Sequence, residues 1–223
     1  MREQQRYLLD AILEVNKDGV FDTRVPFLTL DDLMHCSSEA AEHLGVVNAE
    51  INRNTIQGWL RAGVLREPAE NRTRRNRLYS TLDVIRLVAV RLVAHMGVRA
   101  RVGAEMADEI INAMSSEWFT RVDEFDTSGE LDARDLVWVV PGSHGSCEVH
   151  GITARQTRDG ANKVFSMSLR VHGAGIAVDA RMVVQISIIA AGEKHKQKLI
   201  AWADKLKLEL KKAQESHEDK SAI

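Results

Sequence analysis

The sequence predicts an α+β chain: helical over its first 125 residues, then a small antiparallel sheet with a closing helix after residue 136. Three observations predict it. Apolar residues recur at helical spacing as far as Phe125. Two-residue alternation follows, at Phe165, Met167, Leu169 and Val171 and again at Met182, Val184, Ile186 and Ile188. An acidic stretch, 126–135, separates the two patterns. The expected division is a helical domain over 1–125, an acidic linker over 126–135, and a C-terminal α+β domain over 136–223 for dimerisation or effector binding.

In chain order, Tyr7, Leu8, Ile12 and Val15 predict an amphipathic helix over 2–15, and Lys17–Pro26 is a connection. Leu30–Cys36 reads as a short helix, and Ser37 or Ser38 as the cap of another that runs through Leu44 and stops at Gly45. Ile51–Ala62 predicts a helix with Ile56, Trp59 and Leu60 on its buried side and Gly63 as its stop. Val64-Leu65 and Leu78-Tyr79 bracket an arginine-rich stretch, a two-stranded ribbon with a basic tip. Ser80-Thr81-Leu82-Asp83 is a capping-box start for a helix carrying Val84, Ile85, Val88, Leu92 and Met96, closed by Gly97. Another helix is expected over 100–125. Beyond it, strands are expected at Leu136–Val140, Cys147–Gln156, Val164–Val171 and Met182–Ile189. A final helix is expected over 193–215, where Leu199, Ala203, Leu206, Leu210 and Ala213 make a short heptad seam before a frayed end.

Composition excludes several classes. Apolar residues at 44% and charged residues at 28% are those of a globular protein, and only three prolines argue against a disordered or collagenous chain. The two cysteines, Cys36 and Cys147, cannot supply a disulfide framework, and Asp10 and Glu14 stand where an export signal would be apolar. No apolar run reaches the ~20 residues of a membrane span. A cytoplasmic protein with no membrane partner is expected. No Ser/His/Asp order, phosphate-cradling loop or HExxH spacing is present, so no enzyme and no cofactor is expected.

Charge is distributed unevenly. Residues 51–101 hold eleven basic residues against three acidic, and all eleven are arginine, whereas 102–135 hold two against ten. Arginine's planar fork suits phosphate and guanine edges. Four arginines fall in six residues, Arg72, Arg74, Arg75 and Arg77. Exposed like charges that close repel by up to ~1 kcal/mol per pair, and a polyanion would relieve this.

Ser38–Leu44, the turn at Gly45-Val46, and Asn54–Leu60 predict a helix-turn-helix, whose second helix presents Asn52, Arg53, Asn54, Thr55 and Gln57 outward. Over 37–97 the sequence resembles the MerR family of winged helix-turn-helix transcription regulators. The match lies in Asn54-Thr55-Ile56-Gln57-Gly58-Trp59-Leu60-Arg61-Ala62-Gly63-Val64-Leu65, in Arg77-Leu78-Tyr79-Ser80 with Asp83-Val84, and in the helix ending at Met96-Gly97. The resemblance implies base or backbone contacts from Asn54, Thr55, Gln57 and Arg61. It also implies phosphate contacts from Arg72, Arg74, Arg75 and Arg77 in the wing, with Tyr79 at its base. The partners it implies are double-stranded DNA, a second copy of the chain on an inverted repeat, and RNA polymerase. Two features depart from the family: Asn48–Asn52 look inserted in the turn, and a long segment precedes the module.

Weaker signals have plainer readings. Residues 124–135 resemble a calcium loop but open on Glu124 and close on Asp135, so an acidic linker is expected. His144, Cys147 and His150 offer metal-ligand types, but Cys147 and His150 would face opposite sides of a strand; a glycine-rich turn is expected and no metal site. Gly173-Ala174-Gly175 reads as a hairpin turn. The competing functions are an architectural DNA binder of the excisionase type, marked by cooperative binding to tandem sites, and a metal- or small-molecule-sensing regulator.

Overall fold

The structure, a computed structural model, describes residues 10, 12–15, 21–48, 50–65, 77–114, 133–134, 136–141, 147–151, 156–157 and 176–221. This part of the chain is mostly helical. Five long helices carry it: α1 (Leu30–His43), α2 (Arg53–Arg61), α3 (Thr81–His95), α4 (Ala100–Met114) and α5 (Ala180–Ser221).

Local chemistry sets the helix starts. Thr29 caps α1: its hydroxyl accepts from the Asp32 N–H at 3.3 Å, and the Asp32 carboxylate accepts from the Thr29 N–H at 2.9 Å. Ser80 and Asp83 form the same reciprocal box at the head of α3, with Ser80 N–H to Asp83 at 2.7 Å. Each box satisfies backbone donors that a helix start leaves open. The separate short helix and the cap at Ser37 or Ser38 are corrected: α1 is continuous, and Ser37 is buried in its middle with a hydroxyl that finds no partner. The signal for the true start, Thr-x-x-Asp at 29–32, is legible in the sequence.

Helix α3 is the centre of the core. Val84, Ile85, Leu87, Val88, Ala89, Val90 and Val93 have no exposed surface, and α1, α4 and α5 all pack against it. Burying each of the valine, leucine and isoleucine side chains contributes about 1.5–3 kcal/mol. Gly103 of α4 lies so close to α3 that an added Cβ would stand 2.6 Å from the Val90 Cα. Arg86 of α3, 7% exposed, pairs with Asp108 of α4 across the same contact.

The segment before α1 is part of this body. Phe27 and Leu28 are wholly buried, and Leu28 bridges antiparallel to Tyr79: Tyr79 N–H donates to the Leu28 carbonyl at 2.7 Å, and the Phe27 and Leu28 N–H groups donate to the Tyr79 carbonyl at 2.9 Å. Thr23 adds a carbonyl for the Leu82 N–H.

The strand expected at Met182–Ile189 is corrected: these residues open α5, which runs over 180–221 rather than 193–215. Its buried positions Val183, Ser187, Ala190, Ala191 and His195 recur every three or four residues, the helical period, and the Ser187 hydroxyl donates to the Val183 carbonyl at 2.6 Å one turn back. Of the alternating residues only Val184 is buried and Met182 is 41% exposed, so packing on α1 and α3 selects the helical face. Helix α5 remains helical through Ser221, where fraying was expected.

Between α4 and α5, backbone pairing is antiparallel throughout: β1 (Ala133–Arg134) with β4 (Gln156–Thr157), and β2 (Leu136–Pro141) with both β3 (Cys147–Gly151) and β5 (Ile176–Asp179). Val178 of β5 reaches the main core. The strand expected at 164–171, the turn at 173–175, the acidic stretch 126–132 and the helical stretch beyond residue 114 lie outside the described residues.

Candidate nucleic-acid interface

Helix α2 is placed by its own ends. Asn52 is its N-cap, and the Asn52 Oδ1 accepts from the Thr55 N–H at 2.8 Å and from the Thr55 hydroxyl at 3.0 Å. At the far end Gly63 takes a positive φ of 68°, which lets the chain reverse while the Val64 N–H returns to the Trp59 carbonyl at 2.9 Å. Val64 and Leu65 then enter the core. One face is anchored: Ile56 is wholly buried, and Trp59 and Leu60 pack partly against the core. The opposite face is open, with Arg53, Asn54, Gln57, Gly58 and Arg61 all exposed.

The structure describes eight of the eleven expected contact residues. Asn54, Gln57 and Arg61 share the open face of α2. Thr55 is half-buried and, like Asn52, is engaged in the cap. Arg53 is held by Asp31 at 2.7 Å, both side chains well exposed, so Asp31 is a neighbour of the site that sequence spacing does not reveal. Arg77 is half-buried beside Leu78, and the ribbon expected before it lies, over 66–76, outside the described residues. Tyr79 is only 3% exposed, which makes it a core residue joined by its backbone to Leu28, not an outward contact. Arg72, Arg74 and Arg75 lie outside the described residues, as does His144. Cys147 and His150 fall on β3, opposite Pro141 and Trp138 of β2. No cluster of three metal-ligating side chains occurs among the described residues.

The basic block is partly used within the protein. Arg86 pairs with Asp108, Arg101 lies 3.6 Å from Glu105, and Arg91 donates to backbone carbonyls of the turn before α2. The block's charge therefore overstates what faces outward near α2.

Behind the interface, α5 is clamped to α1. Lys198 Nζ lies 2.5 Å from Asp32 and donates to the Phe27 carbonyl at 3.1 Å, while Lys194 lies 3.5 Å from the other Asp32 oxygen. Burial pushes the Asp32 carboxyl up, but the bonds from Lys198 and from the Thr29 hydroxyl and N–H outweigh it and hold the carboxyl below its usual range. Cys36, whose thiol donates to the Ala190 carbonyl at 3.6 Å, is pushed up to about 12 by burial and by the nearby Asp32 charge, so it is an unreactive thiol. His195 lies edge-on to Phe21 and Phe27 and donates from Nε2 to the Ile12 carbonyl at 2.8 Å.

A buried-backed helix with an open polar face, preceded by a second helix and a turn and followed by a core-anchored exit, defines a helix-turn-helix DNA-binding module. Residues 37–102 match the family described as MerR HTH family regulatory protein. This stretch is a MerR-type helix-turn-helix domain, a DNA-binding regulatory module. No curated protein matches the chain. Among the described residues no helix is long and apolar enough to cross a membrane.

Proposed function

We propose that the protein is a sequence-specific regulator that binds an inverted repeat as a homodimer in the cytoplasm, with α2 in the major groove and the arginine ribbon on the flanking phosphates. The carrying observation is the division of α2 into a buried Ile56 face and an open Asn54, Gln57 and Arg61 face. Asn and Gln side chains pair bidentately with adenine, and Arg with guanine, which is the chemistry of direct readout. The four clustered arginines at 72–77 supply phosphate contacts that position the helix without reading sequence. In this reading Asn52 serves α2 as its cap, Arg53 is oriented by Asp31, and Tyr79 supports the ribbon from within. Two copies related by a two-fold axis would set their α2 helices about one duplex turn apart. Residues 1–125 would carry the reading head, 126–135 the acidic linker, and 136–223 the dimerisation or effector function. RNA polymerase is the further partner the regulator would meet at a promoter.

The test compares two variant pairs on a duplex selected by the full chain from a randomised library and on a scrambled control. Arg74→Ala with Arg75→Ala is expected to weaken both duplexes alike and to reduce the salt slope by ~0.9 per lost phosphate contact. Asn54→Ala or Gln57→Ala is expected to erode the preference between duplexes by ~1–3 kcal/mol per lost base contact. Equal losses on both duplexes from Asn54→Ala or Gln57→Ala, or a lost preference between duplexes from the arginine pair, would contradict the reading.

A further inference from the structure

We infer that Arg91 is a positioning residue for sequence reading: it fixes the lengthened turn between α1 and α2 and thereby sets how α2 is presented to DNA. The inference rests on the reading of α2 as the groove helix. The turn spans residues 44–52 and needs two left-handed residues, Gly45 at φ 83° and Asn48 at φ 55°. Glycine takes such a φ without strain; Asn48 takes it at a cost that its short polar side chain moderates. Val46 and Ile51 anchor the two ends of the turn in the core, while Val47, Asn48 and Glu50 between them are exposed.

Into that exposed stretch reaches one side chain from another element. The Arg91 Nη2 donates to the Asn48 carbonyl at 2.6 Å and approaches the Glu50 carbonyl at 3.5 Å. Arg91 stands on α3, beside the buried Val90 and Leu92, so the helix at the centre of the core holds the two carbonyls just before the α2 cap at Asn52. The Arg91 Nε is buried with no partner, so the guanidinium meets the protein through its terminal nitrogen at the turn. Trp59, Leu60 and the exit at Val64 and Leu65 hold the far end of α2, so the turn is what fixes its N-terminal end, where Asn54 stands. Bidentate base-edge hydrogen bonds are lost when the helix shifts by about 1 Å or tilts out of line, whereas phosphate contacts from long arginines follow the shift. Loss of Arg91 should therefore reduce discrimination more than overall grip.

The experiment uses the full chain and its Arg91→Met and Arg91→Lys variants, the duplex selected by the unaltered protein from a randomised library, and a scrambled duplex. Affinity for both is measured across a salt series, and thermal melting is followed in parallel. Arg91→Met is expected to lower the preference between duplexes by about tenfold or more, the loss of roughly one base contact, with the salt slope kept. Arg91→Lys, which retains a donor and the charge, is expected to keep part of the preference. A lower melting temperature with the preference intact would reduce Arg91 to a brace of the fold and overturn the proposal. So would equal weakening on both duplexes with a shallower salt slope, which would make Arg91 a phosphate contact. An unaltered protein that shows no preference at all would overturn the reading of α2, and this inference with it.

Discussion

Replacing Lys198 with Met tests how the closing helix is held to the DNA-binding module. The substitution keeps an unbranched apolar stem out to the ε position and removes the ammonium that touches Asp32 at 2.5 Å and the Phe27 carbonyl at 3.1 Å. Lys198 and Asp32 are 13% and 14% exposed, so both charges are largely withdrawn from water. Stranding one partner of a fully buried pair costs about 3–5 kcal/mol. Here Lys194 remains 3.5 Å from Asp32, and Thr29 still donates to it, so the cost should be about 2–3 kcal/mol. For a chain of this size that is a fall in Tm of roughly 5–10 °C. Asp32→Asn should cost a similar amount, because it leaves the ammonium with the Phe27 carbonyl alone. The double variant should lose less than the sum of the singles by about 1 kcal/mol or more, since neither charge is then stranded. Urea denaturation of the four proteins at pH 7, followed by circular dichroism, measures all three differences. Single variants within ~0.5 kcal/mol of the parent, or strictly additive losses, would refute the clamp.

Three further outcomes are expected. Gly103→Ala should destabilise the protein by about 1–3 kcal/mol in the same denaturation assay, because its methyl would meet the Val90 backbone at 2.6 Å and force α3 and α4 apart. The Asp32 clamp should also appear in the acid limb. Its carboxyl is held below the ordinary 3.8, so its contribution is fully present above that value and is lost as pH falls through the lowered folded value; Asp32→Asn should flatten this part of the stability profile. The raised Asp83 carboxyl acts in the opposite sense, so a comparison of the parent with Asp32→Asn isolates the clamp. Asn52→Ala should cost about 1 kcal/mol through the lost α2 cap, read as a lower urea midpoint.

The parts of the fold legible in the sequence are those fixed by local chemistry. The Ser80–Asp83 box, the glycine stops at Gly45, Gly63 and Gly97, and the Ile56 face of α2 all follow from spacing over a few residues. Helix α1 was open to the same argument at Thr29–Asp32, but the serines at 37 and 38 compete as caps in a linear reading, and only burial shows that Ser37 is interior. Residues 182–188 satisfy a strand period and a helical one together, and the tie is broken by long-range packing on α1 and α3, which no local pattern encodes. For the same reason the bridge from Leu28 to Tyr79, the Lys198 clamp, the Arg53–Asp31 pair and the Arg91 contact with the turn join residues far apart in the chain. Tyr79 shows the limit of reading a site by motif: its position in the sequence is that of a wing residue, but its side chain belongs to the core.

The most direct measurement is a methylation-protection footprint of the full chain on its selected duplex, because guanine N7 is accessible to the reagent only through the major groove. Insertion of α2 predicts two clusters of protected N7 positions about one helical turn apart, both lost in Asn54→Ala with Gln57→Ala. A bound complex that leaves every guanine N7 open would contradict the claim that this helix reads DNA.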